Sequence, residues 1–253
     1  MTSLSSRTTS SRAAADIAGP IGAIGGAFML HPEVLGPGKE AGYPGGFAYY
    51  VVGRGGVLGD VDADVVVSAF GFFAPDLVAS LWNAGVTVEG ARAGARRYAE
   101  ACANWGRSRL ADFAQAERLA DLVKRVVERA DVGGLSLFAG WRGVDLPDDP
   151  AGRCYVLAHV LRELRGSVHL VACVASGLTP LDAVLANPTG GIEQAEKFGW
   201  TGPFSISADL ATKFAAAEEL TNSLMGRHLD VLTDDELTEL SELVASAHAT
   251  IFS

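Results

Sequence analysis

Positive charge is in short supply in this chain: 20 Lys and Arg stand against 30 Asp and Glu, a formal net charge of −10. Affinity for a DNA backbone comes chiefly from cations that neutralise phosphates, so an acidic chain starts at a disadvantage as a nucleic-acid binder unless a local basic patch overrides the total. Cysteine is scarce too. Cys102, Cys154 and Cys173 are odd in number and widely spaced, which supports neither a disulfide framework nor a zinc knuckle and makes them small core residues. There is no long hydrophobic run. The nearest, "IAGPIGAIGGAFML", falls short of the about 20 residues that a membrane span needs. It is broken by Pro20 and several glycines, so it reads as a Gly-rich buried helix. No apolar block follows "MTSLSSRTTSSR" as a signal-peptide core would; residues 1–12 are expected to be a disordered tail and the protein to be cytoplasmic.

Recognisable cofactor and catalytic signatures are missing as well. "GRGGVLG" lacks the Lys-Ser/Thr of a phosphate-binding loop and the strand-turn-helix context of a dinucleotide fingerprint. No nucleophile elbow with Ser, His and Asp occurs. His159 and Glu163 are four apart, a metal-ligand spacing, but no third ligand stands at a suitable distance, so they read as an ordinary side-chain pair. Neither a cofactor nor a metal is expected.

What is present is helix. At 253 residues and 49% hydrophobic, the chain can bury one large core or two small ones. "DVDADVVVSAFGFF" has apolar residues on nearly every face, the pattern of a buried helix, and "PDLVASLWNAG" reads as a second helix opened by Pro75 and ended by Gly85. "EGARAGARRYAEACANWG" and "SRLADFAQAERLADLVKRVVERAD" repeat apolar residues every three or four positions, with Ser108 as N-cap of the latter. "GGLSLFAGWRGVDLPDDPAGR" breaks the pattern and divides the chain into a helical part, 13–132, and a second part, 133–253, within two domains or one continuous one. After "CYVLAHVLRELRG" come a loose Gly-rich stretch, "NPTGGIEQAEKFGWTGPFS", and two closing helices, the last with Thr233 and Glu236 as a capping box. Neither an internal repeat nor a sustained strand pattern is visible. The expected fold is mainly α, a helical bundle with an embedded degenerate helix-turn-helix or winged-helix-like element.

That element is "LRELRGSVHLVACVASGLTPLDAVLAN", residues 161–187. In a DNA reader the second helix enters the major groove and uses Arg, Lys, Asn or Gln to reach base edges. Here "TPLDAVLAN" carries no cation and one acid, Asp182, and its apolar positions suit burial. The sequence therefore argues against DNA as the partner.

Three motifs, "FAYYVVGRGGVLGDV", "LSLFAGWRGVDLPDDP" and "VLRELRGSVHLVACVASGLTPLDA", occur in that order. Together they resemble an actinobacterial helix-turn-helix-related family often labelled SCO6745-like. The first motif matches at Tyr49, Tyr50, Gly53, Arg54, Leu58 and Gly59, and the last at Leu161, Arg162, Glu163, Arg165, Gly166, His169, Ala172 and Val174. The resemblance implies a mostly helical fold with a winged-helix-like element and an actinomycete source, and gives no settled biochemical role. The chain departs from the family in three places. Glycines of "GAIGG" stand where members carry a His, Ser167 stands where they carry an Asp, and only "TGPFSIS" follows Gly199 and Trp200, which trims the wing.

The cations and rings of these motifs are the candidate site. Arg54, Arg142, Arg162 and Arg165 lie beside glycines or in a motif; a guanidinium holds carboxylate, sulfate or phosphate in a two-pronged grip, and a neighbouring glycine lets a ligand approach. The bland alternative pairs Arg162 and Arg165 with Glu163 or Asp148 on a solvated face. His169 and Tyr50 are the candidates for catalysis, His169 as a general base unless it is a satisfied core residue. Tyr49 and Trp141, with Trp82 and Trp200, would line a pocket or simply fill the core. The expected function is a small-molecule enzyme or ligand-binding protein of actinomycete specialised metabolism, such as antibiotic biosynthesis. It acts on a substrate with an anionic group, alone, as a homodimer or with a partner chain. One version is a cofactor-independent lyase or cyclase that closes an aziridine-type ring by internal displacement of sulfate or phosphate. The alternative is a helix-turn-helix transcriptional regulator or protein-interaction module.

Overall fold

The computed structural model describes the backbone of residues 4–253 and side chains from Thr9 onward. It is helical throughout, and no strand occurs among the described residues. The segment expected as a tail carries α1 (Leu4–Asp16); residues 1–3 of it lie outside the described residues. The glycine-rich run does form a helix, α2 (Ala18–Ala27), burying Ile21, Ile24 and Gly25. Then come α3 (Pro32–Glu40), α4 (Gly46–Gly55) with a short 3₁₀ turn after it, and α5 (Ala63–Phe70). Apolar on all sides in sequence, α5 nonetheless buries only Val66 and Phe70 and leaves Val65 44% exposed. Ala63, Val67 and Ala69 are half-buried against the main core.

Further differences have local causes. α6 (Pro75–Glu89) runs past Gly85. That glycine is a contact point, since a Cβ there would lie 2.7 Å from Val52 of α4. The stop is Gly90, whose φ of 82° is a conformation that only glycine adopts without strain. Ser108 is not an N-cap: it lies inside α7 (Ala91–Arg109), its hydroxyl donating to the Trp105 carbonyl, and α8 (Ala116–Arg129) begins after a loop. α8 buries Leu119, Leu122, Val123, Val126 and Val127, the three- and four-residue stripe of an amphipathic helix. The chain-dividing segment contains α9 (Ser136–Trp141), and the stretch taken as loose contains α12 (Gly191–Lys197). α13 (Leu210–Leu229) and α14 (Asp234–Phe252) close the chain, the latter with the expected capping box of Thr233 and Glu236.

The axis of the fold is α10 (Pro150–Ala175), 26 residues long and continuous through Gly166, with α2, α7, α8, α9 and α13 packed around it. It approaches α7 and α2 closely at glycines: a Cβ on Gly106 of α7 would lie 2.2 Å from the Tyr155 Cβ, and one on Gly25 of α2 would lie 2.6 Å from the Arg162 Cβ. The main hydrophobic cluster draws from Ala13 to Ala247, taking residues from both sides of residue 133. The three cysteines are free and buried. The end of α10 is the first helix of the helix-turn-helix. After a tight turn at Gly177 comes α11 (Pro180–Ala186), capped reciprocally by Thr179 and Asp182 and set at 104° to α10, within the usual range for this motif. Ala183, Val184 and Leu185 of α11 are buried, as its sequence suggests. Residues 201–207 stay irregular, so no wing is formed. No single helix among the described residues is long and apolar enough to cross a membrane.

Candidate functional site

A cavity of about 1000 Å³ opens between α4, α5, α10, α12 and the connection from α2 to α3. α4 delivers Tyr50 and Arg54 to it one turn apart, α10 delivers Arg162, Gly166, Ser167 and Leu170, and the end of α12 delivers Gln194, Lys197 and Phe198. The α5–α6 turn adds Phe72 and Phe73 beside Phe70. Pro75 opens α6 with a fixed φ and forces that turn to be short.

The polar centre is Glu163. Arg54 donates to it through Nε (2.9 Å) and Nη2 (3.0 Å), a two-pronged ion pair buried on both sides. The remaining Arg54 nitrogen, Nη1, donates to the Tyr50 hydroxyl at 3.0 Å, and the guanidinium stacks 4.6 Å from the centre of the Phe70 ring. The Arg54 backbone is fixed as well, because its carbonyl accepts from Trp141 Nε1 at 3.1 Å. Arg162 donates to the same carboxylate through Nη1 at 2.6 Å and is 28% exposed. Among the described residues, its Nε and Nη2 carry no ion pair or hydrogen bond. Burial alone would raise the Glu163 carboxyl, but the charges of Arg54 and Arg162 hold it well below the usual carboxylate range. Burial likewise works against the Arg54 cation, and Glu163 more than reverses it.

Behind this pair His159 is fully buried. Its Nδ1 donates to the Gly25 carbonyl at 2.8 Å, while Nε2 has no hydrogen-bond partner among the described residues and stands 3.7 Å from Glu163 Oε1. Burial pushes its pKa down to about 4, against the pull of Glu163 and with help from Arg162. At neutral pH the imidazole is therefore uncharged, and the 3.7 Å approach is a contact without a hydrogen bond. Two guanidiniums and one carboxylate leave the cluster with a single surplus positive charge. Among the described residues no group of three His, Cys, Asp or Glu is placed to hold a metal ion.

Of the eight residues singled out by sequence, Tyr50, Arg54 and Arg162 share this cavity. Tyr49 points the other way from α4 into the core, against Tyr43 and Tyr98. Trp141 is buried behind Arg54. Arg142 lines a separate cavity of about 290 Å³ and donates to the Ala130 carbonyl at 3.0 Å. Arg165 and His169 face α13: Arg165 donates to Glu218 (2.8 Å) and Asn222 (2.9 Å), and His169 Nδ1 lies 3.0 Å from the Thr221 hydroxyl with Cys173 on its other nitrogen. Arg162, Arg165 and His169 follow one another at three and four residues along α10, which sets them within about 60° of one another around the helix. α13 packs on α10 there and covers Arg165 and His169, while Arg162 pairs with Glu163. The residues that sequence reasoning missed are mostly aromatic. "AFGFFAP" supplies three rings of the lining, and its density of phenylalanine at a helix end was the available signal.

Scanned against family models, residues 12–205 match one described as a helix-turn-helix family, a stretch of more than half the chain that includes the cavity, α10 and α11. No curated protein and no solved structure matches.

Proposed function

Because the chain belongs to the helix-turn-helix family, we propose that it uses that framework to hold a small molecule with an apolar body and an anionic group in the cavity beside α10. The observation that carries this reading is the lining: it contains Arg54, Arg162 and Lys197 and no carboxylate, in a chain with a net charge of −10. A cation-only lining among apolar walls attracts an anion and strengthens its binding by excluding water. The three arginine and lysine groups differ in what they offer. Arg54 has its three nitrogens engaged and supplies charge. Lys197 is held by Glu193 at 2.7 Å at the rim. Arg162 keeps two unpaired nitrogens, enough for a two-pronged grip on the anionic group, and the Tyr50 hydroxyl can donate beside it.

In an enzymatic form of this proposal the anionic group is a sulfate or phosphate displaced by an amine of the same molecule, as in aziridine-type ring closure. Arg162 would receive the departing charge, and the amine proton would need an acceptor other than His169, which faces α13. The actinobacterial branch implied by the motif order, and a role in specialised metabolism, belong to the same proposal. Calorimetric titration with a panel of amphipathic carboxylates, sulfates and phosphates tests it. At least one class should bind, and Arg162→Ala should weaken that binding about tenfold or more; no binder in the panel, or unchanged affinity in the variant, refutes the reading.

Family membership and the 104° angle between α10 and α11 favour a second reading, a DNA-binding regulator. Against it, α11 offers no Lys or Arg, and Asp182 is spent on the helix cap. Sequence-dependent binding of duplex DNA at moderate salt, read by fluorescence polarisation, would favour the regulator.

A further inference from the structure

The cavity wall is aromatic along its length. Phe47, Tyr50, Phe70, Phe73 and Phe198 form an unbroken series with successive ring centres 6.3, 5.8, 5.8 and 4.0 Å apart. Their tilts fall from 79° at the α4 end to 31° where Phe198 lies over Phe73, so the series turns from edge-on to nearly parallel. Five of the 11 phenylalanines in the chain line this one cavity, and the lining contains no valine or isoleucine. A wall that needed only to be apolar would look like the buried stripe of α8, which is leucine, valine and alanine.

These rings are also incompletely covered. Phe70 is buried, but Phe47 is 41% exposed, and Phe72, Phe73 and Phe198 are half-buried, with the cavity as their open side. Rings in such a series leave both positive edges and negative faces without a partner on the cavity side. A flat aromatic guest supplies the complementary face or edge; a saturated guest of the same size supplies only contact area.

We infer that the ligand body is aromatic: a planar system of two or more rings bearing one anionic group, laid against this ring series while Arg162 holds the anion. The inference rests on the anion-binding reading above and deepens it. Two rings or more follow from the volume, about 1000 Å³, at the upper end of drug-sized sites. One anionic group follows from the charge of the cluster, where Glu163 already neutralises one of its two arginines.

The test is a calorimetric comparison of three probes: a biphenyl carboxylate, the corresponding fully saturated bicyclohexyl carboxylate, and the biphenyl carboxamide. Each ring pair beyond plain burial is worth a few-fold in affinity, so the aromatic acid should bind about tenfold tighter than the saturated acid. It should also bind tighter than the amide. Phe47→Leu and Phe73→Leu should shrink the aromatic-over-saturated ratio while leaving the saturated acid within about twofold. Phe47 stands at the exposed rim, so its variant decides if Phe73→Leu melts early. Equal binding of the two acids, or a ratio untouched by Phe47→Leu, overturns the aromatic inference and leaves the anion reading standing. Amide binding as tight as the acid overturns the anion, and silence from both acids overturns the two together.

Discussion

α10 carries two charged clusters about one turn apart, and they are finished differently. Around Arg162 and Glu163 the neighbours are Arg54, Tyr50 and open space. Around Arg165 and His169 they are Glu218, Thr221 and Asn222, all from α13, which satisfy the guanidinium and the imidazole locally. The residue types are alike, an arginine and a carboxylate with a histidine nearby. The difference lies in whether a second helix closes the set. Where it does, charge serves docking; where it does not, one positive charge and two guanidinium nitrogens are left for a ligand.

The largest break in this comparison is Glu163→Gln. It removes the counter-ion of a buried guanidinium, and stranding a buried charge costs about 3–5 kcal/mol. Urea unfolding should show a loss of that size, with α4 separating from α10. A loss under about 1 kcal/mol would mean that Arg54 reaches water once released, and that the cavity pair is no more structural than the α13 pair.

That pair was only half legible in the sequence. Arg54, Arg162 and Glu163 stand in the two motifs, but the helical segment "CYVLAHVLRELRG" was read as ending at Gly166, whereas α10 runs through it to Ala175. Which of the cations stay open could not be read, because it depends on where α13, some 50 residues later, comes to rest. Tyr49 and Tyr50 are neighbours in sequence and opposite in space, since adjacent helical residues diverge by about 100°. The helix types of most segments were visible from periodicity. Gly85 was misread as a stop because close packing and termination use the same residue, and only the positive φ at Gly90 separates them.

The pH dependence comes next in size. His159 holds a folded pKa of about 4 against an ordinary unfolded value of about 6.5. Between these values the unfolded chain takes up a proton that the folded one refuses, so stability is full above about 6.5 and falls as pH drops toward 4. Integrated over the window the loss is about 3 kcal/mol. Glu163 adds nothing there: its depressed pKa stabilises the fold above the unfolded carboxylate value of about 4.3 and is lost only on further acidification. His169 is also lowered by burial, opposed by Glu218, and contributes in the same direction. His159→Gln should flatten the slope of urea midpoint against pH between about 5 and 6.5 more than His169→Gln does; the reverse order would assign the acid sensitivity to the α13 cluster.

A smaller effect is expected from the closed cluster itself. Arg165→Gln or Glu218→Gln removes a charge-assisted hydrogen bond, but Glu218 is 36% exposed and water replaces part of what is lost. Each should cost about 1 kcal/mol, and the double variant should cost less than the sum, since the two share one contact. Neither should alter ligand affinity. A change in affinity without a change in stability would place Arg165 in the working site after all.

The smallest effect on stability, and the one that sharpens the comparison most, is that of Arg162→Gln. Removing this guanidinium leaves the two-pronged Arg54–Glu163 pair intact and brings the buried cluster from one surplus positive charge to none. Arg162 is 28% exposed, so little of its own hydration is recovered or lost. The change in unfolding free energy should stay within about 0.5 kcal/mol. Affinity for an organic anion should fall about tenfold or more in the same protein, because no other arginine in the cavity has free nitrogens to offer. Stability and binding are thus expected to separate at Arg162 and at Arg165 in opposite senses, one silent for folding, the other silent for the ligand. A stability loss at Arg162 as large as that at Arg165 would show that both charged clusters of α10 are docking surfaces, and the cavity would lose its claim to an anion.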